Sequence, residues 1–291
     1  MQETQPTTTS FSIHAATSMG TVALRVADLD RSIRFYETVL RLRTIERTQT
    51  TARLGAESGP ALLTLHAVAD LPPSPQRATG LYHFAIVLPS RPDLGRMLTW
   101  LAEANIAIGQ ADHLVSEALY LSDPDENGIE IYRDRPRNTW QWDERMVRMA
   151  VDPLDLSAIM AEGADLTWDV LPTGTRMGHV HLRVGDIAQA RQFYHTVLGF
   201  DVTATMPSAL FVSAGGYHHH LGMNTWQSRS LGLAPHDKAG LQSFEIVLPS
   251  REALTQVTER LAAYDIPMQT IGNAIAVDDP WGNMVLLVVG A

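Results

Sequence analysis

The chain repeats itself at a nearly constant spacing, and this limits the folds open to it more than any other feature. GTVALRVADLDRSIRFYETVL from Gly20 aligns with GHVHLRVGDIAQARQFYHTVL from Gly178, so Gly20, Arg25, Asp28, Phe35 and Tyr36 recur 158 positions on as Gly178, Arg183, Asp186, Phe193 and Tyr194. A second match sets LYHFAIVLPSR from Leu81 against LQSFEIVLPSR from Leu241 at an offset of 160, and Asp123-Pro124 against Asp279-Pro280 at 156. Such self-similarity requires each copy to fold as the same unit. The drift in offset places insertions and deletions in connecting loops, where they are tolerated. A length of 291 residues suits two domains or one large barrel, and the repeat selects a tandem duplication.

Each copy has two halves of similar plan. Val22, Leu24 and Val26 alternate with Thr21, Ala23 and Arg25, the period of a half-buried strand. Asp28 then supplies a helix cap, and Leu29, Ile33, Tyr36 and Leu40 follow at helical spacing. In the second half, a strand over Tyr82 to Leu88 precedes Ser90 as cap, with Pro92 in the first turn, Asp93 at capping-box distance and a helix to about Glu103. Short strands follow, separated by turn signals such as Ser122 to Gly128 ahead of Ile129 to Tyr132. The prediction is an α+β chain of four βαβββ units. Residues 1–18 are expected as a flexible N-terminus, 19–135 as the first module, 136–175 as a linker and 176–291 as the second module. Trp140, Trp142 and the Leu154 to Met160 stretch suggest that the linker packs on the surface.

Composition narrows the function. A formal charge of 22 − 32 = −10 argues against nucleic acid, whose binding depends on clustered Lys and Arg. With no cysteine, any metal must be held by nitrogen and oxygen, and 11 histidines are available. No window approaches the ~18 apolar residues of a membrane span. The N-terminus lacks the basic and apolar regions of an export signal, so a cytoplasmic protein is expected by default.

The pattern G-[HT]-V-x-L-R-V-x-D-[LI], the FY pair, VLGF and the closing DPDENGIE resemble the vicinal oxygen chelate superfamily over nearly the whole chain. SEALYLSDPDENGIEIYRDRPR and SAGGYHHHLGMNTW resemble its bacterial tandem catechol 2,3-dioxygenase type. The resemblance implies two half-open β-barrels, each with a metal position at its floor. Members that bind metal take ligands from the first strand of one half and from the first and last strands of another. In the first copy these positions are Thr21, His83 and Glu130; in the second they are His179, Ser243 and Leu286.

Neither copy alone holds a full set. His179 with His83 and Glu130 makes one, leaving Thr21, Ser243 and Leu286 as its dismantled counterpart. This requires the first half of the second copy to close its barrel with the second half of the first copy. It departs from two-domain extradiol enzymes, whose three ligands all lie in the C-terminal module. Without the exchange, the first copy would hold two ligands and the second copy one. Two His and one carboxylate suit Fe(II) first, with Mn(II), Ni(II) or Zn(II) also fitting. Glu130, between Ile129 and Ile131, is otherwise costly to bury unpaired.

The resemblance also implies an acid–base histidine two residues before a Leu-Gly pair, which is His219. A one-residue slip of the strand would select His218 or His220 instead. It further implies a tyrosine ten residues before the glutamate, which is Tyr120, and, more loosely, a histidine upstream at His113. The plainer alternative at these positions is packing or surface histidines and an ordinary strand tyrosine. Tyr36 and Tyr194 are assigned to helix packing, and His14, His66, His195 and His236 to no site. The leading function is extradiol cleavage of a small aromatic diol with O2. The alternatives are a redox-neutral isomerase or transferase and a metal-free binding protein. The internal pseudo-dimer makes a monomer feasible, with a homo-oligomer equally open.

Overall fold

The computed structural model describes residues 11–290. The first unit runs β1 (Ser18–Val26), α1 (Leu29–Thr38), β2 (Arg43–Arg47), β3 (Thr51–Gly55) and β4 (Leu63–Ala67). The second runs β5 (Gly80–Val87), α2 (Arg91–Glu103), β6 (Gly109–Asp112), β7 (Ser116–Ser122) and β8 (Gly128–Asp134). Asp28 caps α1 by accepting the Arg31 N–H at 2.9 Å, and Ser90 caps α2 by accepting from Asp93 N–H at 3.2 Å. After β8 come a single 3-10 turn at Arg137–Thr139, the small hairpin β9 (Trp142–Asp143) and β10 (Met146–Val147), and α3 (Leu156–Glu162).

The second copy follows the same order. Its third unit is β11 (Arg176–Arg183), α4 (Ile187–Ala190), β12 (Asp201–Met206), β13 (Ala209–Ser213) and β14 (Leu221–Asn224). Its fourth is β15 (Gly240–Leu248), α5 (Arg251–Ala263), β16 (Gln269–Ile271), β17 (Ala274–Asp278) and β18 (Met284–Val289). Beyond α4 the chain continues in wider π-type turns over Arg191–Val197, where Leu198 N–H reaches back five residues to Phe193 O at 2.9 Å.

These strands form two eight-stranded mixed sheets, and each takes half of its strands from each copy. One has the order β16-β17-β18-β15-β1-β4-β3-β2 and the other β12-β13-β14-β11-β5-β8-β7-β6. The seams are antiparallel, β1 with β15 and β11 with β5. The exchange of halves inferred from the ligand positions is therefore the topology of the chain. Alternation sorts the side chains. Val22, Leu24, Phe84, Ile86, Val180, Leu182, Phe244 and Ile246 face a single apolar core that runs through both sheets. His83, Ala85, Glu130 and His179 lie on the opposite parity, toward the concave side of the second sheet.

Two parts depart from expectation. Residues 11–17 are packed rather than flexible, since Ile13 is buried and its N–H donates to Gly199 O at 2.8 Å; the rest of that stretch, 1–10, lies outside the described residues. The linker reaches inward as well as lying on the surface. Asp112 and Asp152 bridge its backbone to β6, and Trp140 is buried while Trp142 stays exposed. Its helix α3 sits against α2 through two glycines. A Cβ on Gly95 would lie 2.0 Å from Ile159 O, and one on Gly163 would lie 2.3 Å from Arg96 N.

Tyr36 and Tyr194 do more than pack their helices. Each hydroxyl donates at 2.8 Å to a buried carboxylate, Tyr36 to Asp123 and Tyr194 to Asp279. Each pair joins a helix over one sheet to the turn that enters the last strand of the other. The asparagines Asn127 and Asn283 hold the same carboxylates through backbone and side-chain N–H groups. Burial pushes the Asp123 and Asp279 carboxyls up, against the pull of these hydrogen bonds. Losing one donor from a buried acceptor costs about 1–3 kcal/mol. Tyr36→Phe and Tyr194→Phe are each expected to lower unfolding stability by about that amount, and the two losses should add because the sites share no partner. Urea titration of the single and double variants checks this.

Candidate metal centre

The pairing of β5 with β11 brings the site together. His181 stands opposite His83 and His179 opposite Ala85, with irregularities in register on either side. β8 pairs in parallel with β5, so Glu130 lies beside Ala85. Next to the first irregularity, Gly178 has no side chain because the Tyr132 hydroxyl occupies that space; a Cβ there would be 1.8 Å from it.

His83, Glu130 and His179 converge. Glu130 Oε2 lies 3.0 Å from Nε2 of each histidine, and the two Nε2 atoms are 3.3 Å apart. All three residues are buried. No Lys or Arg among the described residues neutralises Glu130, so an acceptor carboxylate and two imidazole nitrogens face one point. A divalent cation satisfies such a donor set, and two His with one carboxylate is the set of non-haem Fe(II) sites. Burial pushes the Glu130 carboxyl up, but His179 and His83 outweigh it and hold the group well below the usual carboxylate range. Burial draws His83 below the usual imidazole range against the pull of Glu130.

The other sheet lacks this arrangement. Where Glu130 faces Tyr120 across β8 and β7, Leu286 faces Ala276. Ser243 pairs with Ala23 as His83 pairs with His181. Glu245, beside Leu286, folds over Gly20 and accepts the Thr21 N–H at 2.9 Å, while the Thr21 hydroxyl donates to Ala61 O at 3.0 Å.

The three consecutive histidines separate by partner. His218 donates from Nε2 to Asp134 Oδ1 at 2.9 Å, and its Nδ1 lies 2.8 Å from His219 Nδ1. If His218 donates through Nε2 alone, its Nδ1 accepts, and His219 then donates from Nδ1 and keeps Nε2 as a free lone pair. His220 Nδ1 accepts the Ala214 N–H at 3.1 Å, and burial, then His218, brings its pKa down to about 3. The His219 ring lies 4.2 Å from that of His179, and burial, followed by His179, holds it well below the usual imidazole range. Of His218 and His219, His219 has its ring nearer that of His179.

On the other side, His113 Nδ1 lies 2.7 Å from Ala150 O and so carries the proton, leaving Nε2 to accept the Tyr120 hydroxyl at 2.6 Å. Burial and then Glu130 push the Tyr120 phenol well above its usual range, which keeps it a donor.

Sequence reading missed five contributors. Asp134 orients His218 and also accepts from Tyr217, whose hydroxyl is 2.6 Å from that of Tyr132. Trp140 walls the pocket with its ring 5.3 Å from His218. His181 is held neutral by burial and accepts from Asn224 Nδ2 at 3.0 Å. Its position two residues after His179 was the one signal in the sequence.

Residues 18–131 and 176–287 match the Glyoxalase/Bleomycin resistance protein/Dioxygenase superfamily. The chain belongs to this superfamily. It is 44% identical over 273 residues to a catechol-2,3-dioxygenase of Bacillus subtilis (strain 168), covering 92% of this chain and 96% of that protein. Among solved structures, a putative dioxygenase from Bacillus subtilis superposes with a TM-score of 0.66 at 13% identity, covering 96% of this chain and 86% of that one. Glyoxalase I from Zea mays superposes with a TM-score of 0.55 at 17% identity, covering 94% and 92%. The structural likenesses carry the fold. In that fold, no helix among the described residues is long and apolar enough to cross a membrane.

Substitution tests the donor set directly. His83→Ala, Glu130→Ala and His179→Ala are each expected to lose bound metal on dialysis, while Thr21→Ala retains it as the unaltered chain does. Elemental analysis of the dialysed proteins reads the outcome, and equal retention in all four would refute a site shared between the copies.

Proposed function

We propose that this dioxygenase homologue cleaves an aromatic diol in the extradiol manner, breaking the ring carbon–carbon bond beside the two hydroxyls and adding both atoms of O2. The observation that carries the reading is the convergence of His83, Glu130 and His179, drawn from two copies of the repeat, in a chain 44% identical to a catechol-2,3-dioxygenase. The ligand roles of these three residues are part of the proposal. When bound there, Fe(II) would supply chelation of both diol oxygens and electrons for dioxygen.

The chain's own residues supply the rest. Binding a catechol through both oxygens releases protons, and His219, neutral with Nε2 free, is the group placed to take one and later return it. The Asp134–His218 pair holds His219 in that tautomer. Tyr120 is a phenol beside Glu130, and His113 fixes the direction of its hydroxyl. It can turn its hydrogen bond to a substrate oxygen. Tyr132, Trp140 and Tyr217 enclose the floor and keep water from competing.

Anaerobically purified protein loaded with Fe(II) is expected to consume O2 with catechols and to develop the yellow absorbance of a ring-opened product. Loaded protein inert toward a panel of catechols would overturn the assignment. His219→Gln should keep its metal and lose about 10²–10⁴-fold in kcat, the range of general acid–base catalysis. Asp134→Asn, which reaches His219 only indirectly, through His218, should lose less.

A further inference from the structure

The ends of β1 and β11 carry the arginines that the repeat shares. Arg25 stands across from Gly240 and Arg183 across from Gly80, equivalent places in the two sheets. Both line one cavity of about 80 Å³ at the junction of the sheets, together with Thr79, Asn127 and Asn283, and with Glu126 at its rim. Arg25 donates to Lys238 O at 3.1 Å and to Pro235 O at 3.4 Å. Arg183 donates to Gln76 O at 2.9 Å, and its Nε is buried without a partner.

Those carbonyl contacts account for where the side chains lie, since they hold the loops leading into β5 and β15. They leave each charge without a contact ion pair. Neither guanidinium has a carboxylate within ion-pairing distance among the described residues, whereas Arg91, Arg133 and Arg135 all close on Glu117. The nearby acids fill the gap only in part, for Glu126 is exposed at the rim and Asp237, which draws the Arg25 pKa back up, also lies 3.3 Å from the Lys238 ammonium. Burial lowers the pKa of both arginines, so the cationic forms are held at a cost that an anion would offset. Two like charges sharing one small cavity add to that cost.

We propose that Arg25 and Arg183 form an oxyanion site at this junction, sized for a tetrahedral anion such as phosphate and separate from the pocket around Glu130. Planar guanidinium forks suit phosphate oxygens, and much of each fork is unused by protein acceptors. The cavity volume suits a small anion better than a nucleotide. Occupation ties the end of β1 to the end of β11 and stabilises the folded chain.

The test titrates inorganic phosphate against sodium chloride at matched ionic strength, read by the thermal unfolding midpoint and by calorimetric binding. Phosphate is expected to give a saturable rise that chloride does not, and sulfate should compete with it. Arg183→Gln and Arg25→Gln should each weaken binding by about 10-fold or more, a difference of one charge-assisted contact. Glu126→Gln removes a repelling charge at the rim and should tighten it. That variant carries the test if Arg25→Gln fails to fold through loss of its loop bonds. The proposal is overturned by a phosphate response no larger than that to chloride, by one that sulfate does not displace, by one unchanged in Arg183→Gln, or by a Glu126→Gln protein that binds no tighter.

Discussion

The antiparallel seam between β5 and β11 is the interaction on which the rest of the molecule depends. It is a backbone ladder between strands of different copies, and its register decides which side chains meet on the concave face. A slip of one residue would turn His179 and His181 into the apolar core and bring Val180 and Leu182 to the pocket. The apolar faces prevent that slip, since Phe84, Ile86, Val180 and Leu182 are all fully buried. The core therefore sets the position of the polar site, although it contributes no polar atom to it.

The second seam, between β1 and β15, has the same geometry and no such site. Thr21, Ser243 and Leu286 keep the strands while discarding the donors, and Glu245 is drawn to the Thr21 backbone. The two sheets also differ in their surroundings. The linker after β8 brings Trp140 and the Ala150 carbonyl to the sheet that holds His83 and Glu130. Both His219 and Tyr120 are thereby braced at one remove, through His218 and His113, by linker groups outside the repeat.

That difference explains what could be read before the structure. Strand alternation and the Asp28 and Ser90 caps are local, so the units and their helices were visible as sequence. His83, Glu130 and His179 stood out because each could be compared with a counterpart that had lost its donor. Trp140 lies in the linker and had no counterpart to compare, and Asp134 meets His218 across 84 residues, a separation with no periodic signature. The hydroxyls of Tyr36 and Tyr194 were hidden differently. Their helical spacing already explained them, and their partners, Asp123 and Asp279, read as ordinary turn residues. Flexibility before residue 18 was inferred from composition, which carries no information about the packing of Ile13 near Gly199.

Exchange of halves between the copies also bears on how the chain is made. β1 emerges during synthesis long before β15, which begins at Gly240, so one of its edges waits for that strand. β5 likewise waits for β11, so the first copy, once synthesised, still has two seam edges open. Pairing over such separations is slow, and unpaired edges are where chains associate wrongly. The nascent first copy is thus an unfinished surface that only its own repeat, arriving later from the same ribosome, is shaped to cover.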